Sequence, residues 1–215
     1  MKRVLKIAGL GFAALVVVLG VVGLFLPRQW HVEQVVVINA TPEHIHPLVN
    51  DLKQWPTWAA WNKEMDPVVK WEYGGPSSGV GAWWSWDGPQ MGHGKMTITQ
   101  SDVGSGVWID EMIENDKEVN AKGSITWTVE SGGTKVTWVD EGTLPPVIGG
   151  YFVGMIESML NGHFGKGLKN LKAVAEQRKG EAAAAKAEQA AAAAAAAAAA
   201  PTPAEAAPVA APATP

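Results

Sequence analysis

The chain has no cysteine among its 215 residues, which excludes a disulfide framework, a thiolate metal site and a cysteine nucleophile. It is poor in tyrosine and phenylalanine, with 2 and 4. Its formal net charge of -4 gives no reason to expect nucleic acid as a partner. Gly-x-Ser-x-Gly elbows, phosphate loops and dinucleotide fingerprints in a strand-to-helix setting are all missing. The pair Gly79-x-Gly81 falls between strands, where a turn accounts for it. His44 and His46 are two apart on a predicted helix and point in different directions, while His31, His93 and His163 have no partner at ligand spacing. These patterns point to no metal, no cofactor and no catalytic residue.

What the chain does have is an uncharged run, Ile7 to Leu26, entered from a cationic start that contains Lys2, Arg3 and Lys6. A helix needs roughly 20 apolar residues to cross about 30 Å of hydrocarbon, and this run supplies them before Pro27 and Arg28 end it. A cleavable signal peptide would share the basic start but have a shorter core and a small-residue cleavage pattern, which the stretch from Leu24 to Trp30 does not offer. The expectation is an uncleaved anchor over residues 1–27 with the lipid bilayer as its partner, the N-terminus cytoplasmic and the remainder extracytoplasmic. Trp30 then reads as an interfacial aromatic. The glycines of the run do not form a GxxxG spacing, so helix dimerisation has no support.

Residues 28–179 are enough chain for one domain with a core. Residues 180–215 are a different polymer: Ala with scattered Lys, Glu and Gln, then an unbroken Ala run, then Ala and Pro from Pro201 onward. Alanine favours helix, so the run to Ala200 is expected to prolong the helix before it, and a disordered polyproline-like segment follows. A spacer and an arm that reaches the cell envelope or a partner protein both fit this tail.

The domain reads as α+β. Val32 to Ile38 is apolar and β-branched, a strand, and Thr41 and Pro42 begin a short helix that runs to about Asn50. Glycine pairs then separate short alternating segments, which are hairpin signals for an antiparallel sheet. Between Met155 and Glu176, the residues Ile156, Leu160, Phe164, Leu168 and Leu171 recur at helical spacing, predicting one long helix pressed on the sheet.

The order of pieces in this region resembles a known family. After the first strand come Ala40-Thr41-Pro42-Glu43, then Trp55-Pro56-x-Trp58-x-x-Trp61, Gly79-x-Gly81-Ala82, Trp86-Asp87-Gly88 and Gly94-x-Met96-Thr97-Ile98-Thr99. Gly133-Thr134-x-Val136-Thr137-Trp138 and Gly162-x-Phe164-x-x-Gly167-Leu168-x-Asn170-Leu171-Lys172 close the series. From Val32 to Glu176 this is similar to the polyketide cyclase/dehydrase-like group of the START and Bet v 1 superfamily, the SRPBCC proteins. The resemblance implies a helix-grip fold, a curved antiparallel sheet around a long C-terminal helix with an apolar cavity between them. It implies less about activity, since members include lipid carriers, hormone binders and cyclases.

Strand parity identifies what would line such a cavity. Residues of one parity share a face, so Val119, Ala121, Gly123, Ile125, Trp127 and Val129 are expected to point inward, with Ala121 and Gly123 leaving space. Asp140 shares parity with Val136 and Trp138, and Glu111 with Val107, Ile109 and Ile113. Counting from the Gly132-Gly133 turn sets Asp140 beside Gly123, and counting from Asn115-Asp116 sets Glu111 beside Ala121. The two carboxylates are then two inter-strand spacings apart, roughly 10 Å. They either meet water at strand ends, or anchor a ligand's polar end, or work as acids and bases after burial has raised a pKa.

Tryptophan is the one aromatic in excess, with 11 copies. Trp55, Trp58 and Trp61 are expected to pack one end of the domain. Trp84, Trp86, Trp127 and Trp138 are either core or stacking surfaces for an apolar ligand, and Met155 and Met159, one helical turn apart, are either core or adaptable cavity lining. The functional expectation is a membrane-anchored binder of a small apolar or amphipathic, lipid-like ligand. A cyclase-like acid-base enzyme and an envelope interaction module without a ligand are the alternatives.

Overall fold

The computed structural model describes residues 2–115 and 117–199. Its contacts divide the chain into two units, Met1–Lys179 and Gly180–Pro215. The disordered segment expected from Pro201 onward and Asp116 of the expected turn lie outside the described residues.

The uncharged run forms α1 (Lys2–Phe25). Within it, Lys6–Phe25 is long and apolar enough to cross a membrane, with a mean hydropathy of 2.6 and its apolar side chains turned outward. Strand β1 (Gln29–Ile38) begins earlier than the apolar residues from Val32 suggest. Its length is set by its partner β7, which pairs Gln29 with Thr143 and Ile38 with Thr134. Helix α2 (Pro42–Asn50) has Pro42 at its start, where the missing N–H costs nothing. Thr41 does not cap it through its side chain; its hydroxyl meets His44 Nδ1 at 3.1 Å instead.

A 3-10 turn, Leu52–Thr57, leads to β2 (Lys70–Gly74), β3 (Trp83–Gly88), β4 (Gly92–Asp102), β5 (Gly106–Asn115), β6 (Lys117–Glu130) and β7 (Gly133–Thr143). The strands form one curved antiparallel sheet in the order β1-β7-β6-β5-β4-β3-β2. Helix α3 (Val153–Ala199) includes both the apolar stripe and most of the Ala-rich segment. This is the helix-grip, Bet v 1-like α+β architecture.

The core between sheet and helix is filled at one end by aromatic rings. Trp138 of β7 stacks on Phe164 of α3, with centroids 4.0 Å apart and planes 8° from parallel. Trp55, Trp58 and Trp61 meet Trp138 edge-on at 5.7, 5.5 and 6.0 Å. Leu168, Leu171 and Ala175 continue the buried stripe of α3. On β6 the parity is as expected as far as Trp127, with Ala121, Ile125 and Trp127 buried and Asn120 and Lys122 exposed, but Val129, expected inward, is 67% exposed, because the strand there runs beyond the core toward its hairpin.

Candidate functional site

With the Trp138 end closed, a cleft of about 630 Å³ opens toward the start of β1 and the end of β7. The first residues of β1, the middle of β5 and β6, the last residues of β7 and Glu157 of α3 build its walls. The two hairpins determine which side chains lie at the cleft and directly behind it. A two-residue turn between Glu130 and Gly133 sets Asp140 opposite Gly123, and the β5–β6 pairing sets Glu111 opposite Ala121, which in turn faces Gly142.

Small residues in the middle strand let the flanking acids converge. Glu111 Oε1 lies 3.5 Å from where a Cβ on Gly123 would stand. The carboxylate therefore leans over β6 toward the row that holds Asp140, and the backbone spacing overstates how far apart the acids are. Gly142 has a matching role on β7, since a Cβ there would stand 2.2 Å from the ring of Trp30. That vacancy allows the indole to lie flat on the strand. Its Nε1 donates to Asp140 Oδ1 at 2.7 Å.

Burial dominates the electrostatics. Asp140 is 4% exposed, and its carboxyl is raised from 3.8 to about 6: desolvation pushes it up, the Trp30 bond pulls it back, and the charge of Glu141 adds to the rise. Glu111 is partly open to the cleft as a residue, but its carboxyl is desolvated. It is held well above the usual range by burial first and by Asp140 second. Glu157 adds a further acid from α3, whereas Asp110, Lys122, Glu141 and His31 border the cleft on strands whose alternation turns their side chains to the outer face, where His31 Nδ1 lies 3.8 Å from Glu141. Glu157 accepts from the His31 backbone N–H at 3.3 Å, tying α3 to β1 at the mouth. The result is a cleft with Trp30 as its aromatic wall, able to hold a donor or oxygen-rich group against the Glu111 carboxyl, which burial biases toward its protonated form, while Asp140 lies buried behind the indole and outside the lining.

The structure brings together Glu111, Ala121, Gly123 and Asp140 among the residues singled out in the sequence. It places the rest elsewhere. Trp84 is buried against Trp71, Tyr73 and Trp86 near the β2 edge. Trp127 is buried, donates to the Val103 carbonyl at 2.9 Å and meets the edge of His46. Trp138 belongs to the filled end. Met155 and Met159 are exposed on the first turns of α3. Trp30 is the residue that sequence reasoning misplaced: 3% exposed and bonded to Asp140, it is a wall of the cleft instead of an interfacial aromatic. Its parity with Val32 along β1 was the available signal. Among the described residues no cluster of His, Asp and Glu could hold a metal ion.

No curated protein matches the chain. Several solved structures are similar in fold. The KanY protein, solved by NMR, is 17% identical over 69% of this chain and 98% of its own, with a TM-score of 0.51. The di-domain ARO/CYC protein StfQ of the steffimycin biosynthetic pathway is 12% identical, with a TM-score of 0.56 over 71% of this chain and 52% of that one. A Staphylococcus aureus protein of unknown function is 10% identical, covering 70% of this chain and 96% of its own with a TM-score of 0.54. At such identities the likeness is one of fold. The family model described as polyketide cyclase / dehydrase and lipid transport matches residues 29–176, most of the chain and nearly all of the helix-grip domain. The protein therefore belongs to the polyketide cyclase / dehydrase and lipid transport family, within the SRPBCC superfamily.

Proposed function

We propose that this protein is a membrane-anchored binder of a small amphipathic, lipid-like molecule, whose polar end is taken by the cleft at Trp30 and Glu111. The observation that carries this reading is where the cleft lies. Gln29, Trp30 and His31 line it and follow directly on α1 and its short Pro-Arg exit. A molecule passing between the bilayer and the cleft would cross little water. The apolar run of α1 supports the anchor, and Lys2, Arg3 and Lys6 support a cytoplasmic N-terminus with the domain on the far side. The Glu111 carboxyl suits a headgroup rather than an acyl chain, because a buried acid gains most from a partner that satisfies its hydrogen bonds.

Native mass spectrometry of the full chain, released from membranes, tests this. The expected result is a one-to-one lipid-like adduct that weakens in Glu111→Gln. A chain that carries nothing, and takes up neither fatty acids nor phospholipids, overturns the reading and leaves an envelope interaction module.

A second reading, acid-base catalysis of the cyclase type, is favoured by the raised carboxyls. Glu111, the acid on the cleft lining, is held well above the usual carboxylate range by burial and can keep a proton to donate. Turnover of a polyketide-like substrate that is lost in Glu111→Gln while binding persists would decide for it.

A further inference from the structure

The segment between β7 and α3 is unlike the rest of the domain. Residues 142–156 contain no Asp, Glu, Lys, Arg or His. Within it Val147, Ile148, Tyr151, Phe152 and Met155 are all exposed large hydrophobics. A soluble surface seldom shows so many in one stretch.

This segment is also built against α1. The Tyr151 hydroxyl donates to the Leu19 carbonyl at 2.7 Å. A Cβ on Gly23 would stand 1.9 Å from the Val147 carbonyl oxygen, and one on Gly150 would stand 2.4 Å from Leu26 Cβ, so both contacts depend on glycine. Val147 has a φ of 72°, a left-handed conformation that a β-branched residue rarely adopts, and the Ile148 N–H bonds back to the Pro146 carbonyl at 2.9 Å. Pro145 and Pro146 precede this γ-turn, which aims the Val147 carbonyl at the helix. The start of the segment is fixed by Arg28, whose Nη1 donates to the Leu144 carbonyl at 2.9 Å.

Depth follows from helix geometry. Leu19 precedes Phe25, the last residue of α1, by about 9 Å at roughly 1.5 Å per residue. If α1 spans the bilayer, the Tyr151 hydroxyl lies well inside the hydrocarbon, and its bond to Leu19 satisfies the one polar side-chain group that would otherwise be stranded there.

We propose that residues 145–155 enter the outer hydrocarbon layer beside α1, making the lipid bilayer the partner of this exposed apolar face and seating the cleft mouth at the headgroups. This rests on the anchor reading above and deepens it. Gln29 to His31 leave the helix, Gly142 and Thr143 lead into the loop and Glu157 follows it, and all of them line the cleft. The opening therefore faces the layer where an amphipathic molecule keeps its polar end.

The absence of cysteine lets single spin labels report depth in the full chain. Ile148→Cys, Val16→Cys and Val129→Cys, each at an exposed position, are labelled and reconstituted in phosphatidylcholine and phosphatidylglycerol vesicles. Collision with oxygen is compared with collision with a water-soluble nickel complex. The oxygen-to-nickel ratio at Ile148→Cys is expected to approach that at Val16→Cys and to exceed that at Val129→Cys several-fold. An aqueous ratio at Ile148→Cys with a lipid ratio at Val16→Cys overturns the loop proposal and leaves the anchor standing. An aqueous ratio at Val16→Cys overturns both. Phe152→Cys serves as a second loop site, and an aqueous ratio there counts equally against the proposal.

Discussion

The indole of Trp30 and the carboxylate of Asp140 are joined by a 2.7 Å hydrogen bond between two side chains almost closed to solvent. That bond opposes the desolvation that raises Asp140 to about 6. Trp30→Phe keeps most of the apolar bulk and removes the donor. The Asp140 carboxyl is expected to titrate above its present value in that variant, followed by carbon-detected NMR of the side-chain carboxyl. An unmoved midpoint would show that the bond does nothing for the charge.

The same carboxyl links stability to pH. Well below 3.8 it is protonated in both folded and unfolded chains and costs nothing. Between its ordinary value of 3.8 and about 6 the unfolded chain releases the proton while the folded chain keeps it, so stability falls as pH rises. Above about 6 the penalty is complete, about 3 kcal/mol for a carboxyl raised from 3.8 to about 6. Glu111, also raised, acts with the same sign. Asp140→Asn keeps an acceptor for Trp30 without a charge. Urea midpoints measured from pH 4 to neutrality should converge with the unsubstituted chain in acid and exceed it near pH 7. A variant less stable than its parent at neutral pH would contradict the burial cost.

Much of this site was legible because hairpins transmit register. The Gly132-Gly133 turn set Asp140 opposite Gly123, and the pairing of β5 with β6 set Glu111 opposite Ala121, both as counted from the residues alone. What parity could not show is which inward residues meet. Trp84, Trp127 and Trp138 all point inward, but they enter three different clusters because sheet curvature and helix placement separate them. Trp30 was hidden by its neighbour: a tryptophan next to an apolar helix reads as interfacial until β7 extends the strand back to Gln29. Gly142 was invisible for a related reason, since its importance lies in a ring from another strand.

That glycine yields a prediction of its own. A methyl at position 142 would collide with the Trp30 ring, and ring and backbone have little freedom to yield. Gly142→Ala is expected to cost about 1–3 kcal/mol, the range for overpacking a filled site. It should also displace the indole from Asp140. The Trp30 indole N–H resonance reports the second effect directly. If that resonance stays in place and stability is unchanged, the tight seat described for the ring is wrong.

The filled end of the grip is where stability should concentrate. Phe164 and Trp138 are each 2% exposed and stacked at 4.0 Å, with Gly167 holding the helix so close that a Cβ there would stand 3.0 Å from the Trp138 ring. Phe164→Ala leaves one face of the indole without a partner and a void that Trp55 and Trp58, themselves packed on other sides, cannot close. A loss of about 3–5 kcal/mol is expected. Met159, five residues earlier on the same helix and 47% exposed, offers the contrast. Met159→Ala should stay within about 0.5 kcal/mol, as surface substitutions do. Guanidinium unfolding of the two variants separates the possibilities. A large gap places the grip at the Trp138 stack, whereas similar small losses would mean that the aromatic end is loosely packed and that the ligand cavity extends into it.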